Sequence, residues 1–203
     1  MMKNKFTCRM ALPSDSITKI AKYIHLTDSY IYPLICSDPE DDAWCEFIRQ
    51  CTVTPGNVYH LSHLAVLLHD GEIIGVACIA PCGKTLTITD GIEIPEALKQ
   101  PIAPVVEGYF LPLIRENLSY CGYNIVNICV DGAWRGQGLG KKLMDFCLEK
   151  CQDAVVHLDV IADNAPAIRL YESTGFHIAA KYMGFTGSDV KLPCYHMIRK
   201  TAQ

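Results

Sequence analysis

The sequence predicts a mixed α/β sheet, folded as a single domain over residues 1–203. Three observations carry this. Half of the 203 residues are hydrophobic and 20% are charged, enough apolar surface for a sizeable core. Asp70-Gly71 separates two apolar runs, the strongest short hairpin signal. From residue 123 onward, strand, helix, strand, helix and two further strands follow one another, the pattern of a sheet with a crossover helix.

Taken in order, residues 6–12 read as a first strand. Pro13-Ser14-Asp15 opens a helix, with Ile17, Ile20, Ala21 and Ile24 at helical spacing. Ser37-Asp38-Pro39 marks a loop. Residues 40–51 read as a second helix presenting Trp44, Phe47, Ile48 and Cys51 on one face, ended by Pro55-Gly56-Asn57. The hairpin joins runs 61–69 and 72–80. Residues 82–122 read as an insertion or an expanded helical connection: 84–90 alternates, Ile94-Pro95 breaks the pattern, and 104–117 is expected to be helical. Then come a buried strand over 123–130, a helix over 138–151, a strand over 154–161, a helix over 166–174 closed by Gly175, and strands over 176–183 and 192–198. A right-handed crossover makes 123–130 and 154–161 parallel neighbours.

Composition excludes several functions. Eighteen Lys+Arg against 22 Asp+Glu give a net charge of −4, without the basic footprint of a nucleic-acid binder, so no nucleic-acid partner is expected. Apolar runs such as 64–68 and 73–80 are far shorter than a membrane helix needs, so no membrane partner is expected either. The N-terminal residues show no long apolar stretch of a secretory leader, and the expected compartment is cytoplasmic. The 11 Cys are scattered with no C-x-x-C pair, which points to core-filling or reduced surface thiols rather than zinc ligands or disulfides. His60 and His63 lack a third ligand nearby, and no metal is expected.

The informative segment runs from Val130 to Lys142. It follows a buried strand and opens a helix, and it carries Gly132, Gly136, Gly138 and Gly140 with Arg135, Lys141 and Lys142. Backbone N–H groups there can approach an anion closely, and the helix N-terminus adds partial positive charge. The P-loop pattern fails, because its first Gly falls on Arg135 and its Ser/Thr on Lys142. The dinucleotide fingerprint started at Gly136 fails at Lys141. A plain strand-to-helix turn is the bland alternative.

Arg-x-x-Gly-x-Gly (Arg135, Gly138, Gly140), preceded by Ile128-Cys129-Val130, resembles the acetyl-CoA loop of the GCN5-related N-acetyltransferase (GNAT) family. One helix and one strand later, residues 164–176 resemble the family's N-x-x-A-x-x-L-Y-x-x-x-G-F segment at every specified position, through Asn164, Ala167, Leu170, Tyr171, Gly175 and Phe176. The resemblance covers residues 123–199 well and the N-terminal elements loosely; no motif covers 82–122. Gly132 stands where many members carry Pro. Asp159 stands where a subset related to ribosomal-protein alanine acetyltransferases carries Glu, one methylene longer.

The resemblance implies a mostly antiparallel sheet, flanked by helices, whose central parallel pair splays to bind acetyl-CoA. It implies an acetyl-CoA-dependent N-acetyltransferase acting on a primary amine by direct attack in a ternary complex, with acetyl-CoA as cosubstrate. The backbone of Ile128, Cys129 and Val130 would pair with pantetheine. Arg135, Gly136, Gln137, Gly138, Leu139, Gly140 and Lys141 would hold the pyrophosphate, and Asn164 would reach the pantetheine arm, cap its helix, or do both. Tyr171 would be the general acid, its alternative being a core tyrosine. Asp159 is the positional candidate for the base, with a water chain or Glu107 as substitutes; its bland alternative is a strand-end carboxylate paired with a neighbouring base. Acceptors are expected between the first two helices, where Tyr30, Tyr32, Asp38, Glu40, Asp41, Asp42 and Trp44 suit a cationic amine or peptide, or form a solvated helix start. Whether the chain is a monomer or a homodimer is left open. The reading from another class is a non-catalytic CoA-binding or ligand-sensing module on the same fold.

Overall fold

In the computed structural model, residues 6–84, 86–110, 119–185 and 191–200 are described. Strands β1 (Phe6–Met10), β2 (Leu64–His69), β3 (Glu72–Pro81), β4 (Tyr123–Val130), β5 (Val156–Ile161), β6 (His177–Phe185) and β7 (Lys191–Arg199) form a seven-stranded sheet in the order β1-β2-β3-β4-β5-β7-β6. Every pairing is antiparallel except β4 with β5. The β2–β3 turn has Asp70 at φ 48° and Gly71 at φ 93°, the left-handed pair that a two-residue hairpin takes.

Both faces of the sheet are covered, which explains why β2 and β3 read as continuous apolar runs rather than alternating ones. Leu64, Val66 and Leu68 of β2 pack toward one core, and Ala65 and Leu67 toward the other. The first core lies under α1 (Ile17–His25), α2 (Tyr32–Ile35), α3 (Asp42–Val53) and α4 (Glu96–Val105). The second lies under α5 (Leu139–Cys151) and α6 (Ala165–Ser173). Ser16 caps α1 by accepting from Lys19 N–H, and Asp41 caps α3 by accepting from the N–H groups of Ala43 and Trp44.

Two expectations change in the middle of the chain. The alternating stretch 84–90 contributes only an isolated bridge between Asn57 and Thr87 among the described residues. The stretch expected to be helical over 104–117 is helical over its described part, through the end of α4 and a π helix at Val106–Phe110, and the helix begins earlier than expected, at Glu96; positions 111–117 lie outside the described residues. Leu98, Ile102 and Val105 bury one face of α4 in the first core, and this packing outweighs Pro101 and Pro104 inside the helix. Among the described residues no helix is long and apolar enough to cross a membrane.

Candidate active site

The sheet is interrupted at its centre. Strands β4 and β5 pair only at Tyr123–Val156 and Asn124–His157, and beyond these residues the two strands part. Just ahead of the first pair, Tyr123 N–H donates to Val155 O at 3.0 Å. Gly122 permits this approach: its φ is +90°, and a Cβ there would lie 2.0 Å from Val155 O. From Ile125 onward the β4 backbone has no strand partner on the β5 side among the described residues. An unpaired backbone edge of this kind is a hydrogen-bonding surface for an extended ligand.

The strands part around a cleft of about 360 Å³, a size that suits a small ligand. Its walls are Ile125 to Ile128 of β4, Asp159 to Ile161 of β5, Asp163, Asn164 and Tyr171 at α6, and the loop from Thr27 to Tyr30 after α1. Tyr171 is 7% exposed, and its ring meets Phe176 edge-on at 6.1 Å. Its hydroxyl makes no hydrogen bond among the described residues, and burial pushes its pKa up to about 12, so the phenol keeps its proton at neutral pH. Asn164 caps α6, its Oδ1 accepting from Ala167 N–H at 3.2 Å, while lining the cleft.

At the far end of β4 the glycine loop is fastened from below. Asp131 accepts from Ala133 N–H and from the Tyr23 hydroxyl of α1, both at 2.9 Å. The Ala133 bond holds the Asp131 carboxyl below its ordinary pKa range, although burial opposes it. Trp134 packs on His69 at 4.3 Å and on Phe6 at 5.6 Å. Above this footing Arg135, Gly136, Gln137 and Gly138 are exposed, with Gly136 at φ 77° and Gly138 at φ 76°. Gly138 is the N-cap of α5 and no side chain satisfies the N–H groups of that first turn. Leu139 is buried in the second core, Gly140 abuts Leu170, and Lys141 pairs with Asp145 at 2.8 Å. The side chains of Ile128 and Val130 pack against the second core and that of Cys129 is buried in the first; of the three, Ile128 reaches the cleft walls among the described residues, and Val130 O accepts from Arg135 Nε at 3.4 Å.

Asp159 projects into the cleft from β5. Its Oδ1 is 3.0 Å from His196 Nδ1, and His196 Nε2 is 3.2 Å from His157 Nδ1. Sequence reasoning missed both histidines, and it missed Asp28. Burial raises the Asp28 pKa, against the N–H groups of Tyr30 and Ile31, which donate to its Oδ1 at 2.7 and 2.9 Å. Alternation placed His157 and Asp159 on one face of β5, but nothing local in sequence brings His196 to them. Asn127 of β4 was also missed. It is 4% exposed, donates to Thr27 Oγ1 and to the Tyr32 hydroxyl, and keeps a buried Oδ1 with no partner among the described residues.

The expected acceptor acids lie elsewhere. Asp41 is the cap of α3, Glu40 pairs with Lys22, and Asp38 accepts from Glu40 N–H. Trp44 is 1% exposed, its ring N–H donating to Ala21 O, and Tyr32 is buried with its hydroxyl 2.6 Å from that of Tyr59. Of the expected group only Tyr30 lines the cleft. The helix start was the correct alternative, because a carboxylate that caps two N–H groups reads in sequence like one awaiting a cation. Glu107, the substitute base, is exposed on the π turn and is absent from the cleft walls. His60 Nδ1 bonds Ser62 Oγ, and His63 Nδ1 bonds Val58 O. Among the described residues no group of three or more His, Cys, Asp or Glu is placed to hold a metal.

Comparison with known proteins gives the same family as the motifs. The model of the acetyltransferase (GNAT) family matches residues 25–176. The chain is 36% identical over 70 residues to the N-alpha-acetyltransferase RimI of Mycobacterium tuberculosis, covering 33% of this chain and 44% of that protein. It is 40% identical over 79 residues to the L-amino acid N-acetyltransferase AaaT of Escherichia coli, covering 36% and 48%. The chain thus spans less than half the length of these curated relatives. Among solved structures, an N-acetyltransferase from Staphylococcus aureus superposes with TM-score 0.72 at 20% identity, covering 95% of this chain and 99% of that one. The acetyltransferase yncA from Salmonella typhimurium, solved with acetyl-CoA, gives TM-score 0.54 at 22% identity, covering 98% and 95%. At these identities the solved structures speak for the fold.

Proposed function

This chain belongs to the acetyltransferase (GNAT) family, and we propose that it transfers an acetyl group from acetyl-CoA to a primary amine by direct attack within a ternary complex. The observation that carries the reading is the parting of β4 from β5 after Asn124 and His157, with Tyr171 and Asp159 on the walls of the cleft so opened.

The residues fit the cosubstrate. The open backbone edge of Ile128, Cys129 and Val130 suits the amide-bearing pantetheine arm, and Asn164 stands beside it. The uncapped first turn of α5, with Gly136 and Gly138 in left-handed conformations, suits a pyrophosphate, helped by Arg135. Lys141 already faces Asp145, so it adds less free charge than its position suggests. Acetyl-CoA supplies the thioester carbonyl. Asp28, Asp159 and Asp163 line the cleft and, among the described residues, no Lys or Arg does, which favours a cationic amine or a peptide N-terminus as acceptor. Asp159 takes one proton of the ammonium. The freed electron pair forms the C–N bond as the C–S bond breaks, Tyr171 gives its proton to the leaving sulfur, and the phenolate so formed recovers the second proton from the acylated nitrogen, leaving a neutral amide.

No cysteine lines the cleft among the described residues. Cys129, the nearest thiol in sequence to the loop, is pushed up to about 11, chiefly by burial, which leaves it a poor nucleophile at neutral pH. This supports direct attack over an acetyl-enzyme. The test is mass analysis of a panel of amino acids, peptide N-termini and polyamines incubated with acetyl-CoA and the protein. Acetylated product from at least one amine is expected. Tight acetyl-CoA binding with no product across the panel would favour the ligand-binding module instead.

A further inference from the structure

Behind Asp159 lies a chain of buried side chains that the proposed reaction has not yet used. It runs from Asp159 Oδ1 to His196 Nδ1 at 3.0 Å, from His196 Nε2 to His157 Nδ1 at 3.2 Å, and from His157 Nε2 to the carbonyl oxygen of Cys121 at 3.1 Å. His196 is 6% exposed and His157 5%. Strand register builds the chain: Asp159 and His196 are direct partners across β5 and β7, and His157 is two residues from Asp159 on the same face. Tyr120 lies flat on His157 at 4.4 Å with 5° between the rings, and on His196 at 4.9 Å, so both imidazoles are held in plane.

The last link fixes the direction of all the others. A carbonyl oxygen only accepts, so His157 Nε2 carries a hydrogen. Neutral His157 then offers a lone pair at Nδ1, and His196 must donate to it from Nε2. Neutral His196 is thereby left with a lone pair at Nδ1, facing the lone pairs of Asp159 Oδ1. Two acceptors 3.0 Å apart repel, and one proton between them converts the repulsion into a charge-assisted hydrogen bond.

Resting on the proposed acetyl transfer, we infer that Asp159, His196 and His157 act as one proton-accepting unit, in which the Cys121 carbonyl and His157 orient His196 so that the amine's proton is bound between Asp159 and His196. The amine N–H bond breaks, its electron pair stays on nitrogen for attack, and the proton ends shared by Asp159 Oδ1 and His196 Nδ1. The unit passes from a net charge of −1 to zero, so burial favours uptake. Burial lowers the pKa of His157 against the Cys121 carbonyl, which raises it, and the net lowering keeps the charge at the Asp159 end. Asp159 is the catalytic residue, and His196 and His157 are positioning residues.

The groups facing the unit are Asp28 from the loop after α1, Tyr120 and Cys121 ahead of β4, Asn124 of β4, Cys194 of β7 and Tyr182 of β6. Among these described residues Asp28 is the one other carboxyl; burial raises its pKa, and when ionised its negative charge also favours the protonated unit.

The test compares the parent protein with His157→Phe, which keeps a flat ring under Tyr120 but removes both nitrogens. Nitrogen-15 NMR of the histidine rings follows the protonation of His196, and the pH profile of kcat/KM at saturating acetyl-CoA follows the base. In the parent, both midpoints are expected to coincide, because one proton is shared by the two groups. In His157→Phe, His196 is free to turn its hydrogen toward Asp159, and both midpoints should fall by about one pH unit or more. His196→Gln, which deprives Asp159 of the ring nitrogen, should lower the acid limb of the profile in the same direction and serves if the first variant does not fold. Midpoints that ignore both substitutions, or an NMR midpoint that the kinetic limb does not follow, overturn the inference. Absence of any acetylated amine overturns the reaction and the unit's role in it, while the NMR midpoint still reports whether the proton is held as described.

Discussion

Replacing Tyr171 with Phe removes one oxygen and leaves the ring packed against Phe176. The phenol is buried, and its pKa of about 12 means that it is fully protonated throughout pH 6–10. A leaving thiolate, with an ordinary thiol pKa of about 8.5, is a weaker base than the Tyr171 phenolate, so the phenol stabilises it by a hydrogen bond as the C–S bond breaks and gives up its proton only as it recovers one from the acylated nitrogen. Positioned acids contribute about 10²- to 10⁴-fold. The cleft is open to water at its mouth, and water can partly replace the donor, so the lower end applies: a fall in kcat of about 10²-fold, or ~2.7 kcal/mol in the barrier. Acetyl-CoA affinity should change little, because the hydroxyl makes no bond on which the cleft walls depend. The assay is a single turnover with enzyme in excess, following product mass, with acetyl-CoA affinity measured in parallel. Because the parent acid keeps its proton up to about pH 12, no alkaline limb from Tyr171 should appear below pH 10. A single-turnover rate unchanged in Tyr171→Phe, or an alkaline limb near pH 8 that the substitution abolishes, would refute this reasoning.

Three further outcomes follow from the same geometry. Acetyl-CoA at a hundredfold its Kd should stabilise the parent by about 2.7 kcal/mol, a rise of roughly 5–10 °C in Tm; Gly138→Val, which forces a branched side chain onto a left-handed φ at the mouth of the loop, should abolish that rise, and an unchanged rise would remove the loop from binding. Gly122→Ala should cost about 1–3 kcal/mol, seen as a fall of roughly 2–10 °C in Tm, because its Cβ meets Val155 O where the closed end of the cleft begins; a neutral result would show that β4 and β5 part for another reason. Asp28→Asn, which keeps the acceptor for Tyr30 and Ile31 N–H, should raise KM for a cationic amine several-fold with little change in kcat. As burial raises the Asp28 pKa, the parent should lose the same advantage on acidification at a pH above the ordinary aspartate midpoint of about 3.9, and a KM independent of pH in that range would count against it.

The sequence made the strand that carries the site legible, because Tyr123–Val130 is apolar, bounded by Gly122 and Asp131, and followed by glycines whose backbone freedom the structure uses at Gly136 and Gly138. The hairpin at Asp70-Gly71 was legible for the same reason: a local conformational demand leaves a local mark. What escaped was non-local. The four-residue helix α2 is too short to show a period, and the two prolines of α4 mask a helix that tertiary packing rescues. His196 lies 37 residues from Asp159, and only the β5–β7 register joins them. The acids at the start of α3 were legible as acids but not as caps, since the N–H groups that occupy Asp41 are set by backbone geometry.

In the proposed reaction the amine attacks acetyl-CoA directly in the cleft between β4 and β5. Rapid mixing of the protein with acetyl-CoA alone, quenched in acid and weighed intact, tests it most directly, followed by the same mixing with an acetylated amine from the panel. Direct attack should leave the protein mass unchanged in the first mixture and form acetylated amine at the single-turnover rate in the second. An acetyl group found on the protein, on one of its cysteines for instance, and discharged at that same rate when the amine is added, would contradict it.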